Sequence, residues 1–358
     1  METALQIPLM TNKIREFWID NAKVIGIALV VLGHLVLIET KITTFIYSFH
    51  MPLFFLISGY LHKNNNTFKE TVKKDAQRLL VPYCYFYLIT FVYWFVVVFL
   101  RHRSEYPGTL LQEGAVKPFL GLLLGVGYDT PISRSTNDPL WFLIALFNIK
   151  LIYQYLAKIT KNKIEYIICI TLLLVSIIMG IKYVEYDLWF SIDSAILALP
   201  FFIGGVLLKR SGIIVKVIKQ KAVNIIMLVV FSVATFYLVK YNGRADINAT
   251  IWGQNIILFY ITGFSGTFMI IALSSLLSFI KGRLIVFISL NTLILMCVQN
   301  MLISICSFLW KVLKMTLPTH LSIGQAISVT SVVLLISLPV MYFIDRYLIF
   351  LTGAKKAR

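Results

Sequence analysis

The chain alternates long apolar runs with short polar, basic connectors, and the apolar runs show none of the period-two patterning of strands. Each run is roughly 18 residues or longer, the length a helix needs to cross a bilayer core. The pattern predicts about ten spans: 21–39, 43–62, 79–100, 139–157, 164–181, 188–208, 222–240, 253–279, 284–309 and 324–350. The segment 117–127, KPFLGLLLGVG, is too short to cross and reads as an interfacial or re-entrant piece. No soluble domain and no internal repeat is visible, so the expected fold is all-α: a polytopic bundle of about ten transmembrane helices forming a single domain over residues 1–358.

Composition agrees with that pattern. Of 358 residues 59% are hydrophobic, and charged residues make up only 14%. A soluble domain carries about 25% charged residues. The net charge of +17 would suit nucleic acid, but the basic residues fall in short connectors, where the positive-inside rule puts them. No nucleic-acid partner is expected. Most of the Lys and Arg lie in the N-terminus, the even-numbered loops and the C-terminus, from Lys13 and Arg15 to Lys355, Lys356 and Arg358. Both termini are therefore expected in the cytoplasm, with loops 101–138, 182–187 and 241–252 outside. Cys84, Cys169, Cys297 and Cys306 sit in apolar runs at no metal-like spacing, so neither disulfides nor a metal are expected. The N-terminal METALQIPLMTN lacks the charged start and apolar core of a cleavable signal.

Against this background, titratable groups inside apolar runs are conspicuous, because they are costly there. His34 lies in VVLGHLVL and His50 in YSFHMPLFF. Lys23 precedes His34 by eleven residues, close to three helical turns, so the two share one face. The rise between them is roughly 16 Å, half a bilayer core. A cation at one surface below a buried base suggests a path along the helix. By span position the two histidines fall at similar depth. Pro52 leaves open the plainer alternative that His50 satisfies a freed backbone carbonyl. Asp193, in LWFSIDSAILALP, is the clearest acidic residue in a span; it could orient a histidine or form a structural pair with a basic residue.

Other polar features gather at span ends. Lys73, Lys74 and Arg78 precede LLVPYCYFYL on the expected inner side, where plain positive-inside bias also accounts for them. STNDPLWFLIALF opens the fourth span. Asn137 and Asp138 could contact sugar hydroxyls and Trp141 could stack on a sugar ring, or the phrase could be an ordinary helix start at an interface. Loop YNGRADINATIWGQN carries Arg244, Asp246 and Asn248. His62, His102 and His320 lie at span ends or in loops and carry no expectation of chemistry.

Taken together, IDNAKVIGIALVVLGH and FHMPLFFLISGY resemble the acyltransferase 3 family of integral membrane O-acyltransferases, and within it the fucose 4-O-acetylase-like branch. The family opens with a basic residue, ten intervening positions and a histidine. Here these are Lys23 and His34, with lysine where arginine is common. Lysine cannot grip a phosphate bidentately but still acts as a point charge. The basic stretch before the third span, the polar-then-tryptophan phrase and the NG with a following Asp are similar to later family motifs. A histidine that the branch often shows near Gln299 is absent.

The resemblance implies O-acetyl transfer from cytoplasmic acetyl-CoA to a hydroxyl of an envelope or exported polysaccharide, in a bacterial inner membrane. His34 would be the general base, with His50 and Asp193 as further catalytic candidates. Lys23, Arg78, Lys73 and Lys74 would hold the donor. Asn137, Asp138, Trp141, Arg244 and Asp246 would face the acceptor, a glycan or lipid-linked sugar. A transporter or flippase of a lipid-linked sugar is the alternative, since it too needs intramembrane polar groups and breaks such as Pro52, Pro200 and Pro339.

Overall fold

The computed structural model describes residues 15–35, 40–63, 67–106, 108–125, 127–184, 188–312 and 323–354. Lys13, Lys355, Lys356, Arg358 and His320 lie outside them. The architecture is an all-α membrane bundle. Among the described residues nine helices are long and apolar enough to cross a bilayer, and a tenth crossing is formed if one bent pair counts as a span.

In chain order the helices are α1 (Phe17–Leu35), α2 (Lys41–Tyr47), α3 (His50–Tyr60), α4 (Phe68–Asp75), α5 (Val81–Tyr93), α6 (Lys117–Leu124) and α7 (Trp141–Ile159). Then follow α8 (Ile164–Tyr183), α9 (Ile192–Ser211), α10 (Ile213–Val217), α11 (Lys221–Asn242), α12 (Ile256–Leu276), α13 (Arg283–Leu290), α14 (Thr292–Val312) and α15 (Ile323–Tyr347). They follow the apolar runs closely, and α6 is the eight-residue piece expected to be too short to cross.

Three departures have local causes. The second span breaks at Ser48 and Phe49, between α2 and α3. Pro52 has no N–H for the Ser48 carbonyl, and its ring would collide with that carbonyl in a continuous helix. The third span starts earlier than its apolar run, at Phe68, because Thr67 and Glu70 form a capping box. From there α4 passes through a π-helical stretch, Ala76–Leu80, into α5, and the widened turn leads into Pro82 near the start of α5. The ninth span bends by 79° between α13 and α14. No glycine or proline marks the bend; Asn291 turns its Nδ2 back to the Phe287 carbonyl, 3.0 Å away, and so competes with the helical ladder.

The helices divide into an inner and an outer set. Helices α1, α3, α7, α9 and α12 bury most of their residues, whereas α8 and α11 expose rows of Leu, Ile and Val such as Leu172, Leu173, Ile226 and Val229. Lipid takes up such faces, since it is as apolar as the side chains. The closest inner contact is α3 on α9. A Cβ at Gly59 would collide with the Phe202 carbonyl, and one at Gly205 with the Leu56 carbonyl. Small residues permit this backbone-to-backbone approach. It fixes α3, and with it His50, against a rigid neighbour.

Candidate active site

A cavity of about 740 Å³ opens among α1, the α2–α3 break, the start of α7, the 244–249 loop and the first turns of α14. From α1 it is lined by Lys23, Ile27, Val30 and His34, spaced 4, 3 and 4 residues apart along one stripe. His34 lies deep among the helices, yet its residue is exposed, because the ring borders the cavity. No hydrogen bond holds that ring among the described residues. The ring of Tyr47 is its aromatic neighbour, with centroids 6.5 Å apart.

The break between α2 and α3 presents two more groups to the same space, Tyr47 and His50. Their rings are 4.9 Å apart, so Tyr47 links the two imidazoles. His50 Nδ1 lies 2.9 Å from the Ile46 carbonyl. A carbonyl only accepts, so Nδ1 carries the proton, and the lone pair of a neutral ring is on Nε2. His50 thus bonds the Ile46 carbonyl rather than the Ser48 carbonyl opposite Pro52, and its other nitrogen is left for the cavity. Tyr47 was not singled out from sequence. The signal available was its place three residues before His50 and just ahead of a proline break.

Lys23 stands at the other end of the α1 stripe, and among the described residues it has no ion-pair partner. The nearby carboxylate is already committed. Asp20 accepts from Arg15 Nε at 2.7 Å, from Arg15 Nη2 at 2.9 Å and from Ser289 Oγ at 2.6 Å. The Ser289 bond also brings the α13–α14 bend to this level of α1. The first turn of α14, Thr292 and Leu293, thus lines the Lys23 end. A helix N-terminus adds positive potential there.

The opposite end carries Asp138, Arg244, Asp246 and Asn248. The loop is clamped. Asp246 and Ile251 exchange both backbone bonds, at 2.7 and 2.8 Å. Asn248 Nδ2 donates to the Gly127 carbonyl at 3.0 Å, and Ser194 Oγ donates to the Asn248 carbonyl at 3.1 Å. Asp246 Oδ1 accepts from the Asn248 N–H at 3.1 Å, and Arg244 stands 3.6 Å from the carboxylate. Burial pushes the Asp246 carboxyl upward, and Arg244 with the neighbouring N–H groups pulls it back in part.

The remaining expected site residues are placed as follows. Trp141 lines the cavity but is largely packed, its ring 6.2 Å from that of Phe55. Asn300 lines it from α14, while Gln299 is fully buried away from it. Asn137 instead donates to the Cys297 carbonyl at 2.7 Å, tying the start of α7 to α14. Asp193 takes the structural alternative. Its Oδ2 pairs with Lys182 Nζ at 3.2 Å, its Oδ1 accepts from the Ser194 N–H, and among the described residues no bond joins it to a histidine. Lys73, Lys74 and Arg78 are exposed and do not line the cavity, although Leu79, next to Arg78, does. His62 packs between Tyr153 and Phe202. Burial holds its imidazole down at about 4, with Lys150 next in effect, so it is a neutral packing group.

The assembled groups are a basic end, a pair of imidazoles with a phenol between them, and an acidic end in one space. They can bind an anionic donor at one end, hold a polar acceptor at the other and move a proton between. Comparison with known proteins gives the family. The family described as "Acyltransferase domain" matches residues 16–346. Nodulation protein NolL of Mesorhizobium japonicum is 31% identical over 155 residues, which is 39% of this chain. That match takes in 35% of the relative, so the chain spans about a third of its length there. No solved structure matches. A family match over nearly the whole chain places this multi-pass membrane protein in the acyltransferase 3 family.

Proposed function

We propose that the protein transfers an acetyl group from cytoplasmic acetyl-CoA to a hydroxyl of an envelope or exported glycan, from a site within a bacterial inner membrane. The observation that carries the reading is the shared cavity. Lys23, His34 and the 244–249 loop all border one space, with the imidazole between the two ends. With both termini in the cytoplasm, Lys23 faces inward and the Asp246 loop faces outward. The donor's phosphates then meet Lys23 and the N-terminus of α14. The pantetheine arm runs along the α1 stripe past Ile27 and Val30. The acceptor sugar enters beside Asp138 and Asp246.

His34, unencumbered by hydrogen bonds, takes the proton of the acceptor hydroxyl as that oxygen attacks the thioester carbonyl. The tetrahedral intermediate collapses with cleavage of the C–S bond. The thiol departs with the proton that the imidazolium returns, so the ring ends neutral. His50 Nε2 accepts a hydrogen bond from the sugar and holds it beside Tyr47. Arg78, Lys73 and Lys74 act from outside the cavity, drawing the anionic donor toward the inner face. Because the family is one of acyltransferases, the transporter alternative has no support of its own.

The test is turnover without a gradient. Purified protein in detergent, given radiolabelled acetyl-CoA and de-acetylated envelope glycan from the producing cells, should label the glycan. His34→Ala should label none while melting at the same temperature. A wild-type preparation that hydrolyses or ignores the thioester and leaves the glycan unlabelled would overturn the proposal.

A further inference from the structure

The two ends of the cavity differ in charge, and the outer one constrains what the acceptor can be. Among the described residues, four side chains that line the cavity carry formal charge: Lys23, Asp138, Arg244 and Asp246. Lys23 is alone at one end. The other end has two carboxylates and one guanidinium, and that guanidinium is exposed and held to Asp246 only at 3.6 Å. In a chain of net charge +17, with 16 acidic residues against 33 basic ones, such a local excess of negative charge runs against the composition.

The carboxylate of Asp246 and the backbone that carries Asp138 are fixed in place. Asp246 sits on the paired backbone with Ile251 and caps the Asn248 N–H. Asp138 opens the turn ahead of α7, which Asn137 ties to α14. Asp246 cannot turn away without giving up the Asn248 N–H. Like charges brought together in a poorly hydrated site repel strongly, and exclusion by such repulsion is a common source of specificity. The same carboxylates accept hydrogen bonds from hydroxyls, and they would attract an ammonium.

Resting on the acyl-transfer reading above, we propose that Asp138 and Asp246 form a charge filter for the acceptor. The acetylated residue is an uncharged or amino-bearing sugar, and residues carrying carboxylate or phosphate are rejected.

Two measurements test it. First, membranes containing the protein are labelled with radiolabelled acetyl-CoA. The labelled glycan is digested enzymatically to single residues, which are separated by electrophoresis at neutral pH. Label should stay at the origin or move to the cathode. Label that moves to the anode overturns the filter and leaves acyl transfer standing. Failure of wild-type membranes to label any carbohydrate overturns both. Second, the de-acetylated glycan is compared with the same glycan after oxidation of its primary hydroxyls to carboxylates. Transfer onto the oxidised form should fall at least ~tenfold. Asp246→Asn, which keeps an oxygen for the Asn248 N–H, and Asp138→Asn should each raise the oxidised-to-unoxidised ratio. Equal rates on the two glycans, or a loss that both variants leave unchanged, would overturn the filter.

Discussion

Two of the sets of charged or titratable groups within the spans of this protein are built differently. Asp193 and Lys182 face each other at 3.2 Å, with side chains 4% and 12% exposed, and a backbone N–H caps the carboxylate as well. Lys23 and His34 have no such partner among the described residues and border open space. Both sets break the same rule against polar groups in lipid. Only the first is repaid inside the protein. The contrast teaches that an intramembrane charge signals chemistry when its partner is missing, and that burial depth alone does not separate the two cases.

The sharpest way to break this contrast is to remove one member of each set. His34→Ala should lower glycan transfer by about 10²–10⁴-fold, the usual contribution of a general base, with no change in thermal midpoint. Full transfer in that variant would make His34 as structural as Asp193. The converse substitution, Asp193→Ala, should destabilise the fold by about 1.5–3 kcal/mol, because a charge-assisted contact to Lys182 is lost. Protein that stays folded should retain its turnover number. A collapse of turnover in folded protein would bring Asp193 back into the chemistry. The double variant Lys182→Met with Asp193→Leu should recover much of the lost stability, as apolar replacement of a buried pair often does.

This difference between the sets was only half legible in the sequence. The spans were readable because a bilayer demands about 20 apolar residues per crossing, and that demand is local. The Lys23–His34 stripe was readable for the same reason: eleven residues on one helix give a shared face without any knowledge of the neighbours. The fate of Asp193 was not readable. Its partner comes from the preceding helix, and which of many basic residues reaches it depends on how α8 packs on α9. The bend at Asn291 was hidden because a side chain, with no glycine or proline, makes it. Tyr47 ends α2 just before the break at Ser48 and Phe49, and its place between the imidazoles depends on how α2 packs on α1. The clamp on the Asp246 loop rests on Gly127 and Ser194, far apart in sequence.

The smallest effects sharpen the contrast within the basic residues. Lys23 lines the cavity, whereas Arg78 is exposed and outside it. Lys23→Ala should raise the KM for acetyl-CoA roughly tenfold or more, the loss of one charge-assisted contact. Lys23→Arg should be tolerated, since a guanidinium offers the same charge with more donors. Arg78→Ala should change the KM for the donor by less than about fivefold, and the change should vanish at high salt, because an exposed charge acts through screened attraction. The two variants are therefore distinguished by ionic strength rather than by size alone. A salt-independent defect in Arg78→Ala would mean that the guanidinium grips the donor directly and that the binding site extends past Leu79. A salt-sensitive defect in Lys23→Ala would mean that Lys23 is an entrance charge like the others, and the stripe on α1 would then begin above it.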